Sequence, residues 1–129
     1  MAKLNHYSPS DAELEILNII WETEPTTVRD VHDRIVAMGK EVGYTTVLKQ
    51  VQRLTEKGVL DKQVTENGHF YKTLVAASDV KGQLAGKILQ NTFGGSAVQM
   101  LMHALGNQKA SEEELNALKQ WLDQQTSEQ

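Results

Sequence analysis

A mostly α-helical fold carrying one small antiparallel β-hairpin is the class this sequence predicts, and three observations carry it. Apolar residues recur at helical spacing through most of the 129-residue chain. That period breaks behind Gly58, where two short runs flank Glu66-Asn67-Gly68, and Asn-Gly in such a setting is a strong hairpin signal. Helical spacing then resumes from Ala76. The length suits one ordinary domain, or a small domain with an appendage.

The elements follow in order. Ser8-Pro9 reads as a helix start, a hydroxyl N-cap followed by proline at the first helical position. Asp11, Glu13 and Glu15 suit the positive end of that helix, and Leu14, Leu17, Ile20 and Trp21 form its buried stripe. It should stop near Glu24-Pro25, because proline disfavours helix in the residue before it. Thr26 or Thr27 caps a second helix with Val28, Val31, Ile35 and Met38 on its apolar face and Gly39 at its end. A third helix spans 43–57, with Val47, Val51 and Leu54 at i, i+4 and i+7, and Gly58 stops it. The runs 60–65 and 69–74 are the strands, and one of Phe70 and Tyr71 belongs to the core because side chains alternate along a strand. Helix, helix, helix, hairpin is the order of a helix-turn-helix with a β wing, whose third helix enters the major groove. This predicts a winged-helix DNA-binding domain over 1–75.

Residues 76–129 read as a second region of three short helices. Ser78-Asp79 caps the first, which runs to about Asn91 and breaks at Gly94-Gly95-Ser96. The next carries Val98, Leu101, Met102 and Leu105 and ends at Gly106-Asn107. Ser111 to Glu114 is a capping box opening the last, and the polar tail 124–129 should fray. Roughly 50 residues lies at the lower edge of independent stability. The apolar stripes therefore predict a dimerisation region in which Leu84, Ile88, Phe93, Val98, Leu101, Leu105, Leu118, Trp121 and Leu122 meet a second copy of the chain.

Charge is unevenly placed. The net charge is −4, which does not by itself suggest a polyanion binder. Yet 40–75 holds six Lys/Arg against four Asp/Glu, whereas the flanking regions are both acidic. That positive stretch contains the third helix, whose solvent face bears Thr45, Thr46, Lys49, Gln52 and Arg53. Lys49 and Arg53 stand four apart, on one face. Hydroxyls, an amide and two cations over an oily seam are the groups that reach phosphates and base edges. A solvated charged face is the plainer reading of the helix alone, and the hairpin behind it adds weight to DNA. Lys62 and Lys72 of the wing, with His69, are candidate backbone contacts.

Other function classes are excluded. The chain has no cysteine, which removes disulfides, thiol redox chemistry, thiol nucleophiles and thiolate metal sites. Met100-Leu101-Met102-His103 contains soft-metal ligand types, but methionine is more often pliable core filler. His6, His32 and His69 show no ligand spacing, and neither metal nor cofactor is expected. Paired acids such as Asp11/Glu15 and Asp30/Asp33 sit near helix starts; no nucleophile elbow, phosphate loop or His-Glu-x-x-His occurs, so no enzyme is expected. There is no apolar leader and no run of membrane-spanning length, and a cytoplasmic protein without membrane insertion is the expectation.

Four pieces in order carry a family resemblance. Glu13-Leu14-Glu15-Ile16-Leu17-Asn18-Ile19-Ile20-Trp21 is similar to an opening "E-x-x-[IVM]-[ML]-x-x-[IVL]-W". Thr46-Val47, Arg53-Leu54 and Lys57-Gly58 match a reading helix of the form "T-V-x-T-x-[IL]-x-R-L-x-x-K-G". The wing with Phe70-Tyr71 follows, and then Phe93-Gly94-Gly95-Ser96, an apolar helix and Ser111 to Leu115. Together they resemble the penicillinase-repressor (BlaI/MecI-type) family over nearly the whole chain. The resemblance implies a homodimeric repressor on a palindromic double-stranded DNA operator of TACA/TGTA type. It also implies a membrane sensor protease that relieves repression by cutting the tail, linked in the family to β-lactam sensing. The family's cut falls at Asn-Phe, and His103-Ala104 occupies that place here, so that specificity does not carry over. Copper-responsive relatives use cysteine pairs, which this chain lacks. Two rivals are a winged helix used for protein docking, favoured by the acidic first third, and a MarR-like regulator that answers to a small molecule.

Overall fold

The computed structural model describes residues 7–107 and 110–127; His6 and the last two residues of the polar tail lie outside them. The elements are α1 (Asp11–Thr23), α2 (Val28–Ala37), α3 (Tyr44–Glu56), β1 (Leu60–Thr65), β2 (Gly68–Thr73), α4 (Ala77–Phe93), α5 (Ala97–Asn107) and α6 (Glu112–Ser127). The chain divides into two compact units, 1–85 and 86–129, so the division falls inside α4.

In the first unit, α1 starts two residues later than Ser8-Pro9 suggested. Ser10 is the N-cap: its hydroxyl accepts from Glu13 N–H (3.2 Å) and its own N–H donates to Glu13 Oε1 (2.9 Å). The reciprocal box satisfies two helix-end donors, and Ser8 has no Glu or Gln three residues on to form it. The buried stripe is also turned from the expected one. Ile16, Leu17, Ile19 and Ile20 are buried, while Leu14 and Trp21 are half-buried. The Trp21 indole N–H donates to Val75 O (3.0 Å), which fastens the chain leaving β2 to α1.

Helix α2 is capped by Thr27, whose hydroxyl accepts from Asp30 N–H (3.1 Å). Val28, Val31 and Ile35 are buried as expected, but Met38 is not: the helix ends at Ala37, Met38 is its C-cap, and the side chain is 56% exposed. Val47, Val51 and Leu54 of α3 are buried, and Gly58 ends that helix with φ +81°, a conformation that favours glycine. These residues, with Val59, Leu60 and Tyr71, form one core.

β1 and β2 pair antiparallel from Leu60↔Thr73 to Thr65↔Gly68, so the turn proper is Glu66-Asn67. No described residue other than glycine has positive φ; the left-handed geometry falls on Gly68 at +121°. Asn-Gly thus works here by placing glycine just after the turn rather than within it. Tyr71 faces the core and Phe70 is half-buried. A third strand position escaped sequence reading. Thr26 N–H donates to Tyr71 O (3.0 Å) and Tyr71 N–H to Thr26 O (2.7 Å), placing Thr26 on the outer side of β2. Next to it, Glu24 Oε1 accepts from Thr73 N–H (2.9 Å) and from the Thr73 hydroxyl (3.1 Å).

Helix α4 opens without a side-chain cap: the amides of Asp79 and Val80 both donate to Ala76 O (3.2 Å each), and Ser78 and Asp79 lie in its first turn. Val80 is buried and Lys81 Nζ lies 5.8 Å from the Trp21 ring centre, which keeps this turn with the first unit. In the second unit, Gly94 and Gly95 (φ +56° and +89°) close α4, and the Ser96 hydroxyl caps α5 by accepting from Gln99 N–H (3.2 Å). α5 ends at Gly106-Asn107 as the sequence predicts, with both residues in its last turn, where a glycine costs only about 1 kcal/mol. Ser111 caps α6 by accepting from Glu114 N–H (3.1 Å). The tail does not fray where expected. Residues 124–127 continue α6, with the hydroxyls of Thr126 and Ser127 bonded back to Leu122 O and Gln124 O (3.2 Å each). No described residue of the second unit is buried.

Candidate nucleic-acid interface

Burial of the Val47-Val51-Leu54 seam fixes how α3 is rotated, and the opposite face is thereby turned to solvent. Thr45, Thr46, Lys49, Gln52 and Arg53 are all exposed on it. Spacings of three and four bring these side chains into one strip along the helix. The N-cap is Gly43, which offers no side chain to the first-turn amides, and the first turn holds no acid. The positive end of the helix dipole is therefore left uncompensated beside Thr45 and Thr46, a setting that favours phosphate.

The entry to α3 is braced by residues that sequence reading did not single out. His32 Nε2 lies 2.7 Å from Val42 O, its ring meets Tyr44 edge-on at 5.9 Å, and the Arg29 guanidinium carbon lies 5.8 Å from the Tyr44 ring centre. Arg29 and His32 are three apart on α2, the one available signal that they share a face. Burial raises the Tyr71 phenol above its usual pKa, with the neighbouring Tyr44 adding to the shift.

On the wing, the register separates the two predicted lysines. Lys62 pairs with Tyr71 and Lys72 with Asp61, so Lys62 and Lys72 stand on opposite faces of the hairpin. Lys62 and His69 are exposed on the Tyr71 face; Lys72 is half-buried beside Asp61. The structure therefore gathers five of the predicted residues on α3 and splits the wing pair.

At the far end of α3 the chain makes an ion pair that spacing could not reveal. Lys57 Nζ lies 2.8 Å from Glu13 Oε2, across 44 positions of sequence. Ser10, Glu13, Gln50, Arg53 and Lys57 line one groove between the start of α1 and α3. The Glu13 side chain is only 13% exposed, against 52% for Lys57. Burial alone would raise the Glu13 pKa, but the Lys57 ammonium and the Ser10 amide and hydroxyl outweigh it and hold the carboxyl below the usual range. Beside it lies the buried Tyr7 hydroxyl; burial first, then the neighbouring Glu13 carboxylate, push its pKa well up.

A carboxyl whose pKa is depressed on folding stabilises the native state above its unfolded pKa and loses that contribution as pH falls through the folded value. Replacing Glu13 with Gln keeps the capping-box geometry and removes the charge. Urea titration should show the wild type more stable than Glu13→Gln at pH 7, by about 1 kcal/mol. The gap should close as pH drops below the usual carboxylate range. A gap constant from pH 7 down to pH 2 contradicts the assignment.

Elsewhere on the chain, His103 Nδ1 lies 2.9 Å from Gln99 O and its ring packs 5.3 Å from Phe93. Among the described residues no group of three or more His, Asp or Glu is placed to hold a metal ion, and no helix is long and apolar enough to cross a membrane.

Comparison with known proteins places this geometry. The penicillinase repressor of Staphylococcus aureus is 25% identical over 114 residues, covering 88% of this chain and 90% of that protein. The transcriptional regulator BlaI of Mycobacterium tuberculosis is 30% identical over 124 residues, covering 95% of this chain and 86% of its own. Among solved structures, a MarR family protein from Bacillus stearothermophilus superposes with a TM-score of 0.55 over 98% of this chain and 79% of that one. At 16% identity that likeness speaks for the winged-helix fold alone. The family model for penicillinase repressors matches residues 9–124, both units together, and the chain belongs to the penicillinase repressor family.

Proposed function

We propose that this chain represses transcription as a cytoplasmic homodimer seated on a palindromic operator, each copy laying α3 in a major groove. The observation that carries this reading is the α3 face: two hydroxyls, an amide and two cations exposed above a fully buried seam, at an uncapped helix N-terminus. Thr45, Thr46, Lys49, Gln52 and Arg53 contact base edges and adjoining phosphates, and Lys62 and Lys72 contact backbone from either face of the wing. The operator is of the TACA/TGTA type that the family resemblance implies. Occupancy of a promoter by the dimer excludes polymerase.

Dimerisation through the tail rests on the state of the second unit. With none of its described residues buried, and with Ile88, Val98, Leu101, Trp121 and Leu122 exposed, it has no core of its own. Apolar surface left in this state asks for a partner. Leu84, Phe93, Leu105 and Leu118, all half-buried, extend the same set. A second copy supplies an identical surface, and twofold symmetry of the protein matches twofold symmetry of the operator. Whatever parts the tails, proteolysis included, releases DNA, because tethering sets the effective concentration of the second reader.

The test is truncation. A chain ending at Ala85 retains Val80 and Lys81, which belong to the first unit. It should keep a cooperative melt by circular dichroism yet lose on the order of 10²–10⁴ in operator affinity in a gel-shift titration. Footprints of the full chain should show two protected major grooves about one DNA turn apart, or a multiple of that. Equal affinity of fragment and full chain rules out the tethered dimer.

A further inference from the structure

Lys49, Arg53 and Lys57 follow one another at four-residue steps, so α3 carries one continuous basic strip. The first two members are exposed and, on the reading above, meet DNA. The third is intercepted. Its ammonium lies 2.8 Å from Glu13 Oε2. The other Glu13 oxygen is bound by Ser10 N–H at 2.9 Å, that side chain is almost wholly covered, and the buried Tyr7 hydroxyl closes the same end of α1. A surface ion pair between two mobile side chains would yield readily to a phosphate. A carboxylate fixed by a capping box competes for the ammonium at no further ordering cost.

We infer that Glu13 is a positioning residue that sets the salt dependence of the DNA site: by holding Lys57 it removes one sequence-independent phosphate contact from each reading helix. Phosphate contacts add affinity for every duplex alike, whereas base contacts add it only for the operator. Withholding a cation at the end of the strip therefore lowers affinity and salt dependence on operator and bulk DNA together and leaves their ratio to the base contacts. Glu13 acts through Lys57 and does not touch DNA itself. This inference rests on α3 being the DNA-reading helix.

The experiment compares salt dependences of binding to operator and to random duplex for the full chain, Glu13→Gln, Lys57→Gln and the double variant. A glutamine at position 13 still completes the capping box, so the fold is kept. Each phosphate contact contributes a slope of about −0.9 in log K against log salt. Glu13→Gln should steepen the slope by about 1.8 per dimer on both duplexes and raise affinity for both alike, leaving the operator-to-random ratio unchanged. Lys57→Gln should leave the slope unchanged, and the double variant should match it. A purely structural ion pair would instead make the two single variants alike, because both break it. The inference is overturned if Lys57→Gln flattens the slope as much as Lys49→Gln does, or if Glu13→Gln leaves it unaltered. Failure of the DNA reading itself appears separately, as operator binding that survives Lys49→Ala with Arg53→Ala.

Discussion

Leu54→Ala should lower the unfolding free energy of the chain by about 2–5 kcal/mol, the range for a leucine deleted from a closed core. Leu54 has 0% exposure and sits where the seam of α3 meets the hairpin base, and its carbonyl accepts from Val59 N–H (2.9 Å). The cost combines lost transfer energy with the cavity left beneath the helix. Domains of this size have only about 5–15 kcal/mol in hand. The melting temperature should fall by on the order of 10–30 °C. Met38→Ala is the matched control: its side chain is 56% exposed, and a change within about 0.5 kcal/mol is expected. Denaturant unfolding of both variants checks the pair. If they cost the same, α3 is not seated on the core as described.

The second large effect concerns DNA. Lys49→Ala with Arg53→Ala should reduce operator affinity by at least about a hundredfold while leaving the melt nearly unchanged. Both side chains are exposed, so their loss opens no cavity. A good side-chain pairing to a base edge contributes about 1–3 kcal/mol of discrimination, and each dimer makes the contacts twice. Fluorescence anisotropy with a labelled operator, at a stated salt concentration, measures it. This pair also separates the rivals. A winged helix that docks proteins through its acidic first third would be indifferent to the change. A regulator answering to a small molecule would lose DNA binding too, but the unaltered chain would then show a ligand-dependent rise in melting temperature. Likeness in fold to a MarR family protein does not itself bring a ligand pocket.

Much of the first unit was legible because its signals are local. Glycine at 58, threonine at 27 and the Asn67-Gly68 pair act through their own backbone or a neighbour three residues away, so reading them needs no knowledge of the fold. The α3 seam was legible because a single period, 3.6, sorts its residues into two faces. What escaped depends on long-range closure. The Glu13–Lys57 pair spans 44 positions and Thr26–Tyr71 spans 45, and nothing in either neighbourhood announces its partner. Ser8-Pro9 misled because proline is equally at home just outside a helix, and the three-residue echo between Ser10 and Glu13 decided the start. Charge alone does not say which face of the wing Lys62 or Lys72 occupies; register, which a one-residue step inverts, puts them on opposite faces. The polar tail read as coil from composition, yet its hydroxyls bond back to their own helix.

The double amide link between Thr26 and Tyr71 bears on how these molecules behave when crowded. It pairs β2 on its outer side at Tyr71 alone, whereas the rim of β1 has no pairing among the described residues. That rim carries Asp61 and Lys62 near its base, charges of opposite sign that discourage a second sheet from zipping on. Charge at that rim thereby disfavours edge-to-edge stacking of copies.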